Sequence, residues 1–474
     1  METRGTTTTS PARGLWAKAA YLGMLAAAVG LFLLVRAYGE GLTAPLPAAG
    51  PGAGPAAVIH LKMDTLLHVL LSLVAVIVTA RALGALFRRM HQPPVIGEVV
   101  AGLLLGPSLL GRVAPEATAY LMPPQVAPYL GVISQIGAIL YMFLVGLELD
   151  LPSLRNKGHA TVAISHASIV VPFSLGALLA LPLYPRLSSA DVPFTVFALF
   201  LGVAMSVTAF PVLARILAER QMSRTKLGVI ALTCAAADDV TAWCLLAFVV
   251  AVAQARLASA WLTAGLTLGY LALMLAVVRP LVARRLSRVA PGQDAVAAVF
   301  VALLLSALAT EYIGIHAIFG AFLLGAVIPH DSPLARHVGE RLVDLVTVLL
   351  LPAFFAFTGM RTRVGLVSGA EQWALCGAIT LVASLGKFGG SSVAARLAGL
   401  DWRDAASIGI LMNTRGLMEL VVLNIGFDLG VISPSLFAML VLMALATTAA
   451  TTPVLQLLQR RRDPALAGEG VGSV

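Results

Sequence analysis

The chain has 474 residues, of which 59% are hydrophobic and only 12% charged, with a formal net charge of +9. Soluble proteins carry about 25% charged residues, so the composition excludes an ordinary soluble domain and implies a polytopic membrane protein. The excess of Lys and Arg does not imply nucleic acid. These residues fall in short loops between apolar runs, where the cytoplasmic loops of membrane proteins carry them.

The apolar runs predict fourteen spans, at about 15–37, 64–88, 94–111, 129–149, 159–183, 192–218, 225–253, 259–277, 294–310, 313–328, 342–358, 370–397, 404–427 and 433–456. The expected fold is all-α and polytopic, with about 13 core helices and one extra N-terminal helix. The extra span, flanked by Arg13, Lys18 and Arg36, reads as a retained helix rather than a cleaved signal. A Pro/Gly/Ala-rich linker, 44–58, follows it. The expected organisation is an N-terminal segment 1–63, a transmembrane domain 64–456 and a short cytoplasmic tail 457–474. With the N-terminus in the cytoplasm, cytoplasmic segments hold 23 of the 32 Lys and Arg residues and external segments hold seven. The expected location is a bacterial plasma membrane, crossed many times.

Two blocks recur in order. Gly97–Pro107 is echoed by Phe319–Pro329, and Met142–Asp150 by Phe354–Thr362, roughly 215 residues and seven spans on. An odd number of spans places the copies in opposite orientations, as in the inverted repeats of secondary transporters.

The most informative residues are Asp238 and Asp239, mid-span in 225–253. One carboxylate at membrane depth costs roughly 2.5–3.5 kcal/mol on insertion scales, and two also repel. A proton, a bound cation or a fixed basic group compensates such a pair, and a proton-coupled cation carrier uses all three. The two side chains project about 100° apart on a helix, so one can meet a base while the other faces a cavity. Thr233 and Thr241 offer nearby oxygens, and an oxygen-only set suits an alkali cation rather than zinc or copper.

Two spans carry the signs of a break. In the first, Pro211 follows Ser206 and Thr208; in the second, Asn413 and Thr414 precede Arg415 and Gly416. Crossed broken helices would present carbonyls and helix ends to a midplane site, and polar seams between intact helices are the alternative. Lys387, a lysine deep within a span, needs a carboxylate partner at that depth. Arg415 and Glu419, four apart, form a possible second charge pair. Glu98 is expected at a helix N-terminus, and Glu148 and Asp150 in solvent. Cys234, Cys244 and Cys376 read as buried small apolar residues, with no metal-ligand spacing.

Taken in order, Pro94–Pro107, Phe143–Asp150, Ser206–Leu217, the Asp-Asp pair and Met412–Gly426 resemble the monovalent cation:proton antiporters of the sodium/hydrogen exchanger superfamily, Kef-like branch. The resemblance covers about 64–456. It implies a homodimer with a scaffold and a moving core. It also implies that Asp239 binds the cation or the proton while Asp238 pairs with Lys387. No cofactor, metal other than an alkali cation, nucleic acid or enzymatic activity is expected. The chain ends at Val474, so no nucleotide-binding regulatory domain is expected either. The expected function is exchange of Na⁺ or K⁺ for H⁺. A sodium-coupled organic-solute symporter and a non-transporting membrane sensor are the alternatives.

Overall fold

A computed structural model describes residues 55–460, apart from 124, 149–158, 189–191, 224, 255–259, 287–291 and 330. The expected first span, most of the 44–58 linker, Asp150 and the tail beyond 460 lie outside the described residues. The chain divides into two units, Met1–Met63 and Asp64–Val474, and all that follows concerns the second.

Helices α1 (Thr65–Arg89), α2 (Pro94–Leu105), α3 (Ala127–Glu148) and α4 (His159–Leu187) come first. The pair α5 (Phe194–Ser206) and α6 (Phe210–Glu219) follows, then α7 (Lys226–Gln254), α8 (Gly265–Arg284), α9 (Gln293–Ile313) and α10 (Ala317–Val327). Helix α11 (333–361) and α12 (Gly369–Leu397) lead to α13 (Trp402–Met412), α14 (Leu417–Asp428) and α15 (Pro434–Arg460). No strand occurs among the described residues. Eleven helices are long and apolar enough to cross a membrane, α13 and α14 form a further bent span, and α10 is a shorter apolar helix. Each span expected after residue 63 therefore has its helix. The protein is an all-α, multi-pass membrane protein.

The helices sort into two packed groups. Helices α2, α3, α8, α9, α10 and α11 pack on one another, as do α4 to α7 with α12 to α15. The groups meet along a seam where α7 touches α8, α11 touches α14 and α2 touches α15. At one end of the seam Arg361 of α11 pairs with Asp428 of α14, donates to Asn424 Oδ1 at 3.0 Å and lies over the Phe427 ring.

The repeated blocks pack crosswise. The first block of the first half, on α2, lies on the second block of the second half, on α11, where a Cβ at Gly102 would stand 2.0 Å from the Ala356 carbonyl oxygen. Gly146 of α3 meets Gly325 of α10 in the same way, backbone to backbone. Small residues at such crossings let apolar helices approach closely enough for dispersion to hold them where lipid supplies no hydrophobic drive.

Candidate functional site

Both expected breaks occur, and they touch. Pro211 has no N–H and its ring clashes with the carbonyl four residues back, so the helix unwinds over 207–209 and restarts at Phe210 with Pro211 in the first turn. In the second break the chain unwinds over 413–416 and bends by 42°. Ala209 N–H donates to the Thr414 carbonyl at 3.0 Å, and the Thr208 hydroxyl lies 3.3 Å from the Met412 carbonyl. Gly416 has to be small here, because a Cβ would fall 2.5 Å from Val212 Cγ2 of the first broken span. Each break thus supplies hydrogen-bond partners for backbone that the other leaves open.

Asp238 projects from α7 into the group formed by α4, α12 and the first break. Ser165 donates to Oδ1 at 2.7 Å; Ser168 at 2.7 Å and Thr208 at 3.0 Å donate to Oδ2; Lys387 Nζ lies 3.3 Å from the same oxygen. Lys387 also donates to Ser168 Oγ at 2.9 Å and to Thr208 Oγ1, so three acceptors face its three N–H groups. Lysine and aspartate side chains are both fully buried. Lys387 sits in a π-helical turn of α12, Leu385–Gly389, and the extra residue in that turn re-aims its side chain relative to a regular helix. Hydroxyls fill the bonding positions that the ion pair leaves open, the condition under which a buried pair is tolerated.

Asp239 is placed differently. Its side chain is buried, yet neither oxygen has a hydrogen-bond partner among the described residues. The Phe210 N–H, at the restart of the first broken helix, faces it without meeting hydrogen-bond geometry. That helix end carries the positive pole of α6. Tyr141, on α3 of the other group, lies within electrostatic reach of Asp239. Asp238 is therefore held by its own helix group, while Asp239 has no hydrogen bond among the described residues.

Arg415 and Glu419 pair at 2.7 Å, both fully buried. The guanidinium reaches further, donating to the carbonyls of Ala204 at 2.9 Å and Met205 at 2.7 Å. These belong to the last turn of α5, whose carbonyls have no partner within the helix. Thr414 Oγ1 lies 3.4 Å from Thr451 Oγ1 of α15, while Asn413 is buried with its Oδ1 unpartnered among the described residues.

Ser206, a hydroxyl expected at the first break, bonds back to the Val203 carbonyl in the last turn of α5 at 2.9 Å. Other expectations need correction. Thr241 and Cys244 lie on an exposed stripe of α7, three residues apart, and Thr241 bonds only its own helix at Ala237. Cys244, five residues on from Asp239, is carried about 140° round the helix, while Thr241 is exposed although only three residues on from the buried Asp238. Glu98 stands past the first turn of α2, within reach of Arg215, Arg81 and Arg88 rather than at the helix end. The sequence reading missed Ser165 and Ser168, spaced i, i+3 in an apolar span, and the buried threonines Thr447, Thr448, Thr451 and Thr452 of α15. Hydroxyls at helical spacing within a span were the available signal in both cases.

Comparison with known proteins agrees with this architecture. The family model described as sodium/hydrogen exchanger, transmembrane, matches residues 71–458. The chain is 42% identical over 397 residues to the Na(+)/H(+) antiporter NhaS4 of Synechocystis sp., covering 82% of this chain and 97% of that one. It is 42% identical over 399 residues to Cation/H(+) antiporter 20 of Arabidopsis thaliana and 34% identical over 388 residues to K(+)/H(+) antiporter 1 of Saccharomyces cerevisiae. The matched regions are 80% and 78% of this chain, but only 47% and 44% of those two relatives. Among solved structures, the sodium proton antiporter MjNhaP1 from Methanocaldococcus jannaschii shares the fold, with a TM-score of 0.60 at 14% identity, over 83% of this chain and 97% of that one. All these relatives are transporters rather than enzymes. The chain belongs to the sodium/hydrogen exchanger family.

Proposed function

We propose that the protein is a secondary-active antiporter that exchanges a monovalent cation, Na⁺ or K⁺, for H⁺ by alternating access, with Asp239 as the group for which cation and proton compete. The observation that carries this reading is the contrast within the pair: Asp238 has four donors, while Asp239, equally buried, has none among the described residues. A desolvated carboxylate costs several kcal/mol unless something neutralises it, and a proton or an alkali cation does so interchangeably. Asp239 then discharges one as it takes up the other. Asp238 and Lys387 act as the fixed charge pair. Thr208, Asn413 and Thr414 supply site oxygens from the breaks, and Arg415 with Glu419 holds the second break.

Alternating access follows if the group containing α7 moves against the group containing α3 and α10, turning Asp239 from one side of the membrane to the other. The chain acts as a homodimer in this reading, which cross-linking in native membranes tests. A solute symporter is less well supported. A cavity of about 500 Å³ between α7, α8 and α10 has walls such as Trp243, Phe248, Leu271 and Phe322, which offer an organic solute few polar contacts.

The deciding experiment uses everted membrane vesicles. Asp239→Asn removes the exchangeable charge, so Na⁺ and K⁺ should release no protons, with expression unchanged. Exchange at near wild-type rate in this variant overturns the proposal.

A further inference from the structure

The unwound stretch 413–416 crosses the bundle with helix-type bonds only at its ends, Asn413 N–H to the Gly409 carbonyl and Leu420 N–H to the Gly416 carbonyl, each at 3.1 Å. Between them, the Thr414 N–H bonds the Leu411 carbonyl at 3.2 Å and the Thr414 carbonyl accepts the Ala209 N–H at 3.0 Å. Arg415 is the exception in kind, because one side chain takes both of its backbone groups. The Arg415 N–H donates to Thr448 Oγ1 at 3.0 Å, and the Thr448 hydroxyl donates to the Arg415 carbonyl at 2.7 Å. Thr448 is buried, on α15, one turn before Thr451, which faces Thr414.

Arg415 is itself the link to the other break, since its guanidinium holds the last carbonyls of α5. A chain of direct bonds therefore runs from Thr448 to the Arg415 backbone, and from the Arg415 side chain to the end of α5. Arg415 is a buried cation in the same helix group as a buried, unpartnered Asp239. What restrains it is the Glu419 carboxylate, the two α5 carbonyls and the clamp on its backbone.

We propose that Thr448 is a positioning residue for cation exchange. Its hydroxyl fixes the second break, and through Arg415 the first, so that the oxygens of both are set before the cation arrives and Arg415 stays away from Asp239. This rests on the site reading above and adds to it a residue from a helix that contributes no ligand. Without the hydroxyl, the stretch must be ordered by the cation itself, and that cost appears as weaker binding rather than slower turnover.

The test compares Thr448→Val, which keeps the shape and loses the hydroxyl, with Thr448→Ser, which keeps the hydroxyl, in everted vesicles. Thr448→Val should raise the apparent KM for the cation about tenfold, the equivalent of roughly one buried hydrogen bond, with a maximal rate within about twofold of wild type. Thr448→Ser should bring the KM back to within about twofold of wild type. A wild-type KM in Thr448→Val, or equal defects in Val and Ser, overturns the proposal. If the valine variant does not accumulate in the membrane, Thr448→Ala against Thr448→Ser decides by the same criterion. Asp239→Asn is run alongside. Exchange surviving in Asp239→Asn defeats the site reading, whereas a dead Asp239→Asn with an unaltered Thr448→Val defeats only the role of Thr448.

Discussion

Asp238 and Asp239 are consecutive residues at the middle of one helix, equally buried from water, and their surroundings have almost nothing in common. The first has two serines, a threonine and a lysine around its two oxygens. The second has a helix N-terminus before it and no hydrogen bond among the described residues. The angle of about 100° between neighbours on a helix separates them, so the two side chains meet different surroundings. Two like charges can persist side by side when the protein itself compensates one and leaves the other to exchangeable ions. A transporter needs this asymmetry, because a fully compensated carboxylate has no reason to bind cargo.

The comparison can be broken most directly through the Asp238–Lys387 pair. Asp238→Asn or Lys387→Met alone leaves an uncompensated buried charge and should cost about 3–5 kcal/mol, seen as a large loss of thermal stability in detergent. The double variant should lose less than either single one. Additive losses would mean that the 3.3 Å contact carries no coupling. By contrast, Asp239→Asn removes a charge with no partner and should leave thermal stability unchanged or raised. A drop as large as that of Asp238→Asn would erase the distinction between the two aspartates.

A middle-sized effect sharpens the same point. Ser165→Ala and Ser168→Ala each remove a hydrogen bond to a charged group, worth about 1.5–3 kcal/mol. Ser168 should be the costlier, because its hydroxyl serves both Asp238 and Lys387. Equal losses would show that the lysine contact adds nothing.

The smallest effect belongs to the surface. Arg186 and Glu371 pair at 3.3 Å with side chains 54% and 75% exposed. Arg186→Ala should change stability by no more than about 0.5 kcal/mol, since solvent screens the pair and holding two long side chains costs entropy. A shift comparable to that of the buried pair would mean that charge, rather than burial, dominates stability in this protein.

Much of this protein is legible in its sequence. Length and hydropathy determined the spans, because a segment of about 20 apolar residues has few options but to cross a bilayer as a helix. Pro211 marked one break by its missing N–H, and the polar run Asn413–Gly416 marked the other. Asp238, Asp239 and Lys387 stood out because charges are costly at that depth. The resemblance added the pairing of Asp238 with Lys387, and the two are in contact.

Other features were decided only by the tertiary structure. Serine and threonine are common in apolar helices and bond readily to their own backbone, as Ser206 and Thr241 do. Nothing local separates those two from Ser165, Ser168 and Thr448, whose partners lie 73, 70 and 33 residues away in the chain. Hydropathy reports how deep a residue lies, and helical period reports which residues share a face. Which helix stands against that face depends on how the two groups of helices pack, and only the folded bundle determines that.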